Sequence, residues 1–115
     1  MQQEKVDRKW GSYTVLHVSD RVKVKQLDID PWASISLQFH YNRAEHWFIE
    51  SGVALVEHGG KQFELSAGNT IVIGPMELHR ITNITLPKEQ LKIIEVQVGD
   101  PVDEQDIVRI TQEGA

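Results

Sequence analysis

Four side chains able to ligate a metal stand at telling positions. Gln38 and His40 are two apart in ASISLQFH, Glu45 opens EHWFIE, and His79 opens HRITNI. Residues i and i+2 of a strand point to the same face, so Gln38 and His40 present two donors together. Glu45, across the short loop YNRA at 41–44, returns a carboxylate from the neighbouring strand, and His79 closes the shell from a remote one. Two imidazoles, one carboxylate and one amide oxygen suit Zn, Mn, Fe, Co or Ni and do not choose among them. The chain has no cysteine, which excludes disulfides and thiolate ligation. Glu45 and His46 are adjacent and face opposite sides of a strand, so only one of them can join the shell.

Taken singly, each residue has an ordinary reading. Most histidines bind nothing, and His17 and His58 read as surface or turn-flanking residues. A lone Glu45 reads as a solvated strand residue. The spacing of the set carries the argument. Arg43, in the loop before Glu45, is a candidate for holding an anion. Lys23 and Lys25 alternate with Val22 and Val24 and share a face with Leu27 and Ile29, so they either point into a barrel as an anion site or blunt a solvated edge strand. Arg80 and Arg109 read as surface residues.

The elements that must position these groups are strands. Short β-rich runs separated by turn residues predict an all-β sandwich or barrel. Strands are expected over 12–18, 21–29, 33–40, 45–50, 53–58, 61–65, 70–73, 79–84 and 91–98, with 103–110 as a strand or short helix. Gly59-Gly60 is the clearest hairpin turn. In 33–40, Ser34, Ser36, Gln38 and His40 share one face and Ile35, Leu37 and Phe39 the other. A polar strand face looks inward where a barrel holds a polar ligand. An outward face of Ile35, Leu37 and Phe39 would need cover, and a homodimer is the expected cover.

At 115 residues the chain makes one domain, 1–115, with its core at about 8–110. Hydrophobic residues are 40% and charged residues 25%, an ordinary globular composition. A net charge of −5 argues against nucleic acid as partner. No apolar run is long enough to span a membrane, and MQQEKVDRK has no apolar h-region, so a cytoplasmic location is expected.

The spacing of Gln38, His40, Glu45 and Gly52, then of Gly68, His79 and Asn83, resembles the two motifs of the cupins, which are small double-sheet jelly rolls. Trp32 stands at the first motif's leading Gly, Gly74 at the second motif's usual Pro and Met76 at its usual Gly. KWGSYTVLH, DRVKVKQLDI, SISLQFHYNRAEHWFIESGVALV and IIEVQVGD resemble the cupin domain of type II mannose-6-phosphate isomerases over about residues 8–110. That domain usually sits behind a mannose-1-phosphate guanylyltransferase domain. None lies within these residues, so guanylyl transfer is not expected. Family members usually carry three consecutive histidines where this chain has His40-Tyr41-Asn42.

The resemblance implies a metal shell of Gln38, His40, Glu45 and His79 in a double-stranded β-helix. It implies isomerisation of a sugar phosphate, most simply mannose 6-phosphate to fructose 6-phosphate, with the metal stabilising the enediolate's charge. Arg43 would hold phosphate or enediolate, with Lys23 and Lys25 completing the anion site. His46 and Glu77 are the candidates for moving the proton. Two other readings stand beside this one: a metal-binding cupin of different activity, such as a dioxygenase or another sugar isomerase, and a non-catalytic sugar-binding cupin.

Overall fold

The computed structural model describes residues 4–110. The strands within them are β1 (Lys5–Arg8), β2 (Gly11–Val18), β3 (Val22–Ile29), β4 (Gln38–Phe39), β5 (Ala44–Ser51), β6 (Val53–His58), β7 (Lys61–Ser66), β8 (Thr70–Ile73), β9 (His79–Asn83), β10 (Leu91–Val98) and β11 (Val108–Arg109). They form two antiparallel sheets, ordered β1-β2-β3-β10-β5-β8 and β11-β4-β9-β6-β7. This is the expected all-β jelly roll.

Period-two alternation drives the main strands. β5 buries Glu45, Trp47 and Ile49 and exposes His46, Phe48 and Glu50. β10 buries Leu91, Ile93, Glu95 and Gln97, and β3 buries Lys25, Leu27 and Ile29. Register then sorts the interior into two zones. Leu91 pairs with Ile29, and Ile93 with both Leu27 and Ile49. Further along β10, Glu95 pairs with Lys25 and Trp47, and Gln97 with Lys23 and Glu45. One end of the barrel is thus a dry core, where each large side chain contributes roughly 1.5–3 kcal/mol by burial. The other end is a polar chamber.

Gly59-Gly60 makes the tight hairpin from β6 to β7, both residues at positive φ. Gly52 turns β5 into β6 at φ 99°, and a Cβ there would come within 2.7 Å of Thr85 Oγ1.

Three expectations are corrected. Residues 33–40 are a regular strand only at Gln38–Phe39, with Ser34 forming an isolated bridge to Thr82. The alternation fails there: Ile35 is buried in the core beside Ser36, so it does not belong to an outward apolar face. Lys5–Arg8 forms an unexpected edge strand. Residues 103–110 are mainly a loop ending in the two-residue β11, which pairs with β4.

Candidate metal centre

β4 and β9 pair Gln38 with His79, and β5 turns Glu45 inward beside them. His40 follows directly after β4. Donor atoms of His40, Glu45 and His79 lie within 4.8 Å of one another, and all three residues are buried. His40 Nε2 is 3.2 Å from Glu45 Oε2, and His79 Nε2 is 3.6 Å from Glu45 Oε1.

Both imidazoles are oriented from behind. His40 Nδ1 is 2.7 Å from the Asp106 carbonyl, and His79 Nδ1 is 2.9 Å from the Glu77 carbonyl. A carbonyl only accepts, so in each neutral ring Nδ1 carries the proton and Nε2 turns a bare lone pair inward. Burial lowers the His79 pKa and favours that neutral ring, against the raising effect of Glu45. His79 Nε2 is buried without a hydrogen-bond partner. A divalent cation would satisfy this orphaned lone pair, so the donor set fits a metal. Gln38 lines the same chamber, its Oε1 accepting from Ser36 Oγ at 3.0 Å.

Arg43 is buried at the same point. Its Nη2 lies 2.9 Å from Glu45 Oε2 and 3.0 Å from His40 Nε2, on two of the lone pairs a metal would use. Burial would raise the Glu45 pKa, but the Arg43 guanidinium beside it, with the two imidazoles around it, outweighs burial and holds the carboxyl at about 2.

Trp47 Nε1 donates to Glu45 Oε1 and to Glu95 Oε2, both at 3.2 Å. Gln97 Nε2 donates to Glu95 Oε1 at 2.7 Å. Burial first, and the Glu45 charge second, push Glu95 up to about 8 against the pull of Lys25. The two carboxyls of one chamber therefore hold opposite protonation states at neutral pH. Lys25, Arg43, Glu45, Glu95, Glu104 and Arg109 are among the residues around a cavity of about 100 Å³.

Of the two readings of the β3 lysines the structure takes the inward one: Lys25 is buried, and Lys23 joins it on Glu104. His46 does not reach the chamber. It is exposed on the outer face of β5, beside Phe48 and Val72, because its neighbour Glu45 takes the inner face. Glu77 is also outside, its carboxylate accepting from Gly74 N and facing His58 at 3.0 Å. The proton-moving role expected of either residue is corrected by this placement. Arg80 pairs with Glu57 through two contacts, 2.6 and 3.2 Å, and faces away from the chamber. Asn83 is structural: its amide donates to the Ile29 and Glu89 carbonyls and accepts from Thr85 N.

Sequence reasoning missed Glu95, Gln97, Glu104 and Asp106; Arg109 is exposed, as read, at the cavity's rim. Glu95 and Gln97 carried a signal, being polar residues in the same phase of LKIIEVQV as Leu91 and Ile93. Asp106 carried none, since only the folded tail brings its carbonyl to His40.

Solved structures place this fold among the cupins. An RmlC-like cupin from Shewanella frigidimarina superposes with a TM-score of 0.78 at 18% identity, covering 90% of this chain and 88% of that one. Oxalate decarboxylase from Bacillus subtilis gives 0.79 at 18% identity, over 94% of this chain and 30% of that one. Sequence narrows the class. The family described as mannose-6-phosphate isomerase C-terminal matches residues 1–112, and the chain belongs to it. The alginate biosynthesis protein AlgA of Pseudomonas aeruginosa is 41% identical over 91% of this chain and 21% of its own length. A mannose-1-phosphate guanylyltransferase of Salmonella muenchen is 36% identical over 91% of this chain and 22% of its own. The chain thus spans about a fifth of the length of these curated relatives.

Proposed function

We propose that this cupin is a metal-dependent aldose–ketose isomerase of a sugar phosphate, converting mannose 6-phosphate to fructose 6-phosphate. The observation that supports it best is that Glu45, one of a metal-competent trio, lines one chamber with the proton-holding Glu95 and with Lys25, whose partner Glu104 also takes Lys23. Gln38, His40, Glu45 and His79 would hold a divalent ion, which supplies Lewis acidity to the oxygens at C1 and C2.

The chain's own residues do the rest. Three carboxyls are among the residues lining the chamber: Glu45, Glu95 and Glu104. Glu45 belongs to the metal shell, and Glu104 is tied to two lysines. Glu95 is left to carry the proton between C2 and C1: with a pKa of about 8 its carboxylate is the minor form at neutral pH, and that form takes the proton from C2 and, as the acid so made, returns it to C1. Arg43, buried beside Glu45, stabilises the negative charge of the enediolate. Lys23 and Lys25 attract the phosphate. With this reading go a small sugar phosphate as partner, in place of nucleic acid or membrane, and a cytoplasmic location.

The test is a coupled assay of mannose 6-phosphate isomerisation on protein first chelated and then given Mn, Zn, Co, Ni or Fe separately. Metal-restored turnover is expected. Absence of turnover with every metal would overturn the reading. Oxygen uptake would then favour a dioxygenase, and stabilisation by sugar phosphate without turnover a binding protein.

A further inference from the structure

We propose that Glu104 is a displaceable carboxylate seated in the phosphate subsite, and that the substrate's phosphate evicts it. The identity of the natural anion rests on the sugar-phosphate reading above; the displacement itself does not.

Lys23 and Lys25 sit two apart on the inward face of β3 and aim at one point. Lys23 Nζ is 3.1 Å from Glu104 Oε1, and Lys25 Nζ is 3.1 Å from Glu104 Oε2. Each ammonium thus takes one oxygen of a two-oxygen anion. The lysines are built in, with side chains 8% exposed for Lys25 and 19% for Lys23, whereas that of Glu104 is 45% exposed. Buried cations need an anion. The anion they have is a half-solvated side chain on a loop, held by the two lysines.

A phosphate monoester offers the same pair of oxygens with up to about twice the charge. Cavity size points the same way. With Glu104 in place the chamber holds about 100 Å³, well below the roughly 300 Å³ at which small-molecule sites begin. Withdrawing this carboxylate opens space beside the lysines. The loop itself stays pinned. The Asp106 carboxylate accepts from Tyr41 N and Asn42 N at 2.8 Å each, and Ile110 N donates to the Leu37 carbonyl at 2.7 Å. Only the Glu104 side chain has to move.

Inorganic phosphate titrated calorimetrically into chelated, metal-free protein tests this without turnover. Glu104→Gln should bind phosphate about tenfold tighter than the parent, because a carboxylate no longer competes for charge-assisted bonds. Glu104→Ala should shift affinity the same way, which guards against one variant failing to fold. Lys25→Met in the Glu104→Gln background should lose the gain. Equal or weaker phosphate binding by both Glu104 variants, or no phosphate binding by any form, would overturn the displacement. A protein that binds phosphate as expected but turns over no sugar phosphate with any metal would instead overturn the isomerase reading alone.

Discussion

Arg43 and Glu45 make a buried ion pair whose meaning depends on what else is in the chamber. Arg43 Nη2 donates to the lone pairs of Glu45 and His40 that face the metal site, so guanidinium and metal compete for them. Removing one partner of such a pair costs about 3–5 kcal/mol, since the other charge stays buried. Arg43→Ala should therefore lose about that much stability in urea unfolding of chelated protein, and a divalent ion should restore much of it. A loss that metal leaves unchanged would show that the two cations do not share these lone pairs.

Glu95 gives a second prediction at this scale. Its folded pKa is raised from an ordinary 4.5 to about 8, so folding takes up a proton there. The sign follows: its stabilising effect is complete below about 4.5 and is lost as pH rises through 8. Glu95→Gln mimics the protonated acid and should flatten that slope in metal-free protein. A melting temperature at least about 5 °C above the parent's at pH 8.5, with near equality at pH 4, is expected. Parallel pH profiles for the two proteins would refute the proton-holding state. Both residues show how far side-chain identity reaches. Glu45 was legible because it sits at a motif position, whereas Glu95 becomes special only through burial beside Glu45.

Elements differ in how plainly the sequence declares them. β6, β8 and β10 run where alternation and flanking turns place them. The 33–40 segment alternates as cleanly on paper, yet only two of its residues pair as a strand. A ladder needs a neighbouring strand that runs alongside in register, and sequence period says nothing of that.

The loops record another mismatch. Trp32 and Met76 stand where the cupin motifs carry glycine, and both hold left-handed backbone, at φ 63° and 68°. Met76 N still donates to the His40 carbonyl, so the turn is kept despite the side chain. A non-glycine residue there costs roughly 1–2 kcal/mol, against roughly 0.5–1 kcal/mol of lost chain entropy for glycine. The Met76 side chain is largely exposed and loses little burial. Met76→Gly should stabilise the protein by about 0.5–1 kcal/mol in denaturant titration, and a loss would mean that this backbone carries no strain.

For the whole molecule, the outer face of the six-stranded sheet is the apolar surface that needs explaining. Phe48, Val72 and Val98 are exposed there, with Ile94 and Val96 half-buried between them. Unlike the face of Ile35, Leu37 and Phe39 expected from the sequence, which loses Ile35 to the core, this face is open. We propose that a second copy covers it, in the symmetric pairing that is commonest among oligomers. Light scattering at twice the chain mass, falling to one chain mass for Phe48→Asp, is the expected result, and a monomeric parent would end the idea.

The sequence by itself determined the all-β class and the metal-capable set Gln38, His40, Glu45 and His79. These follow from i, i+2 spacing and motif order, which are local or one-dimensional. Tertiary structure alone decided which carboxyl keeps its proton, that His46 and Glu77 lie outside the chamber, and that Glu104 fills the lysine subsite. Each of those depends on burial or on contacts between residues far apart in the chain: Lys25 and Glu104 are 79 positions apart, and His40 and Asp106 are 66. Protonation is set by the sum of burial and neighbouring charge, and neither exists until the sheets close.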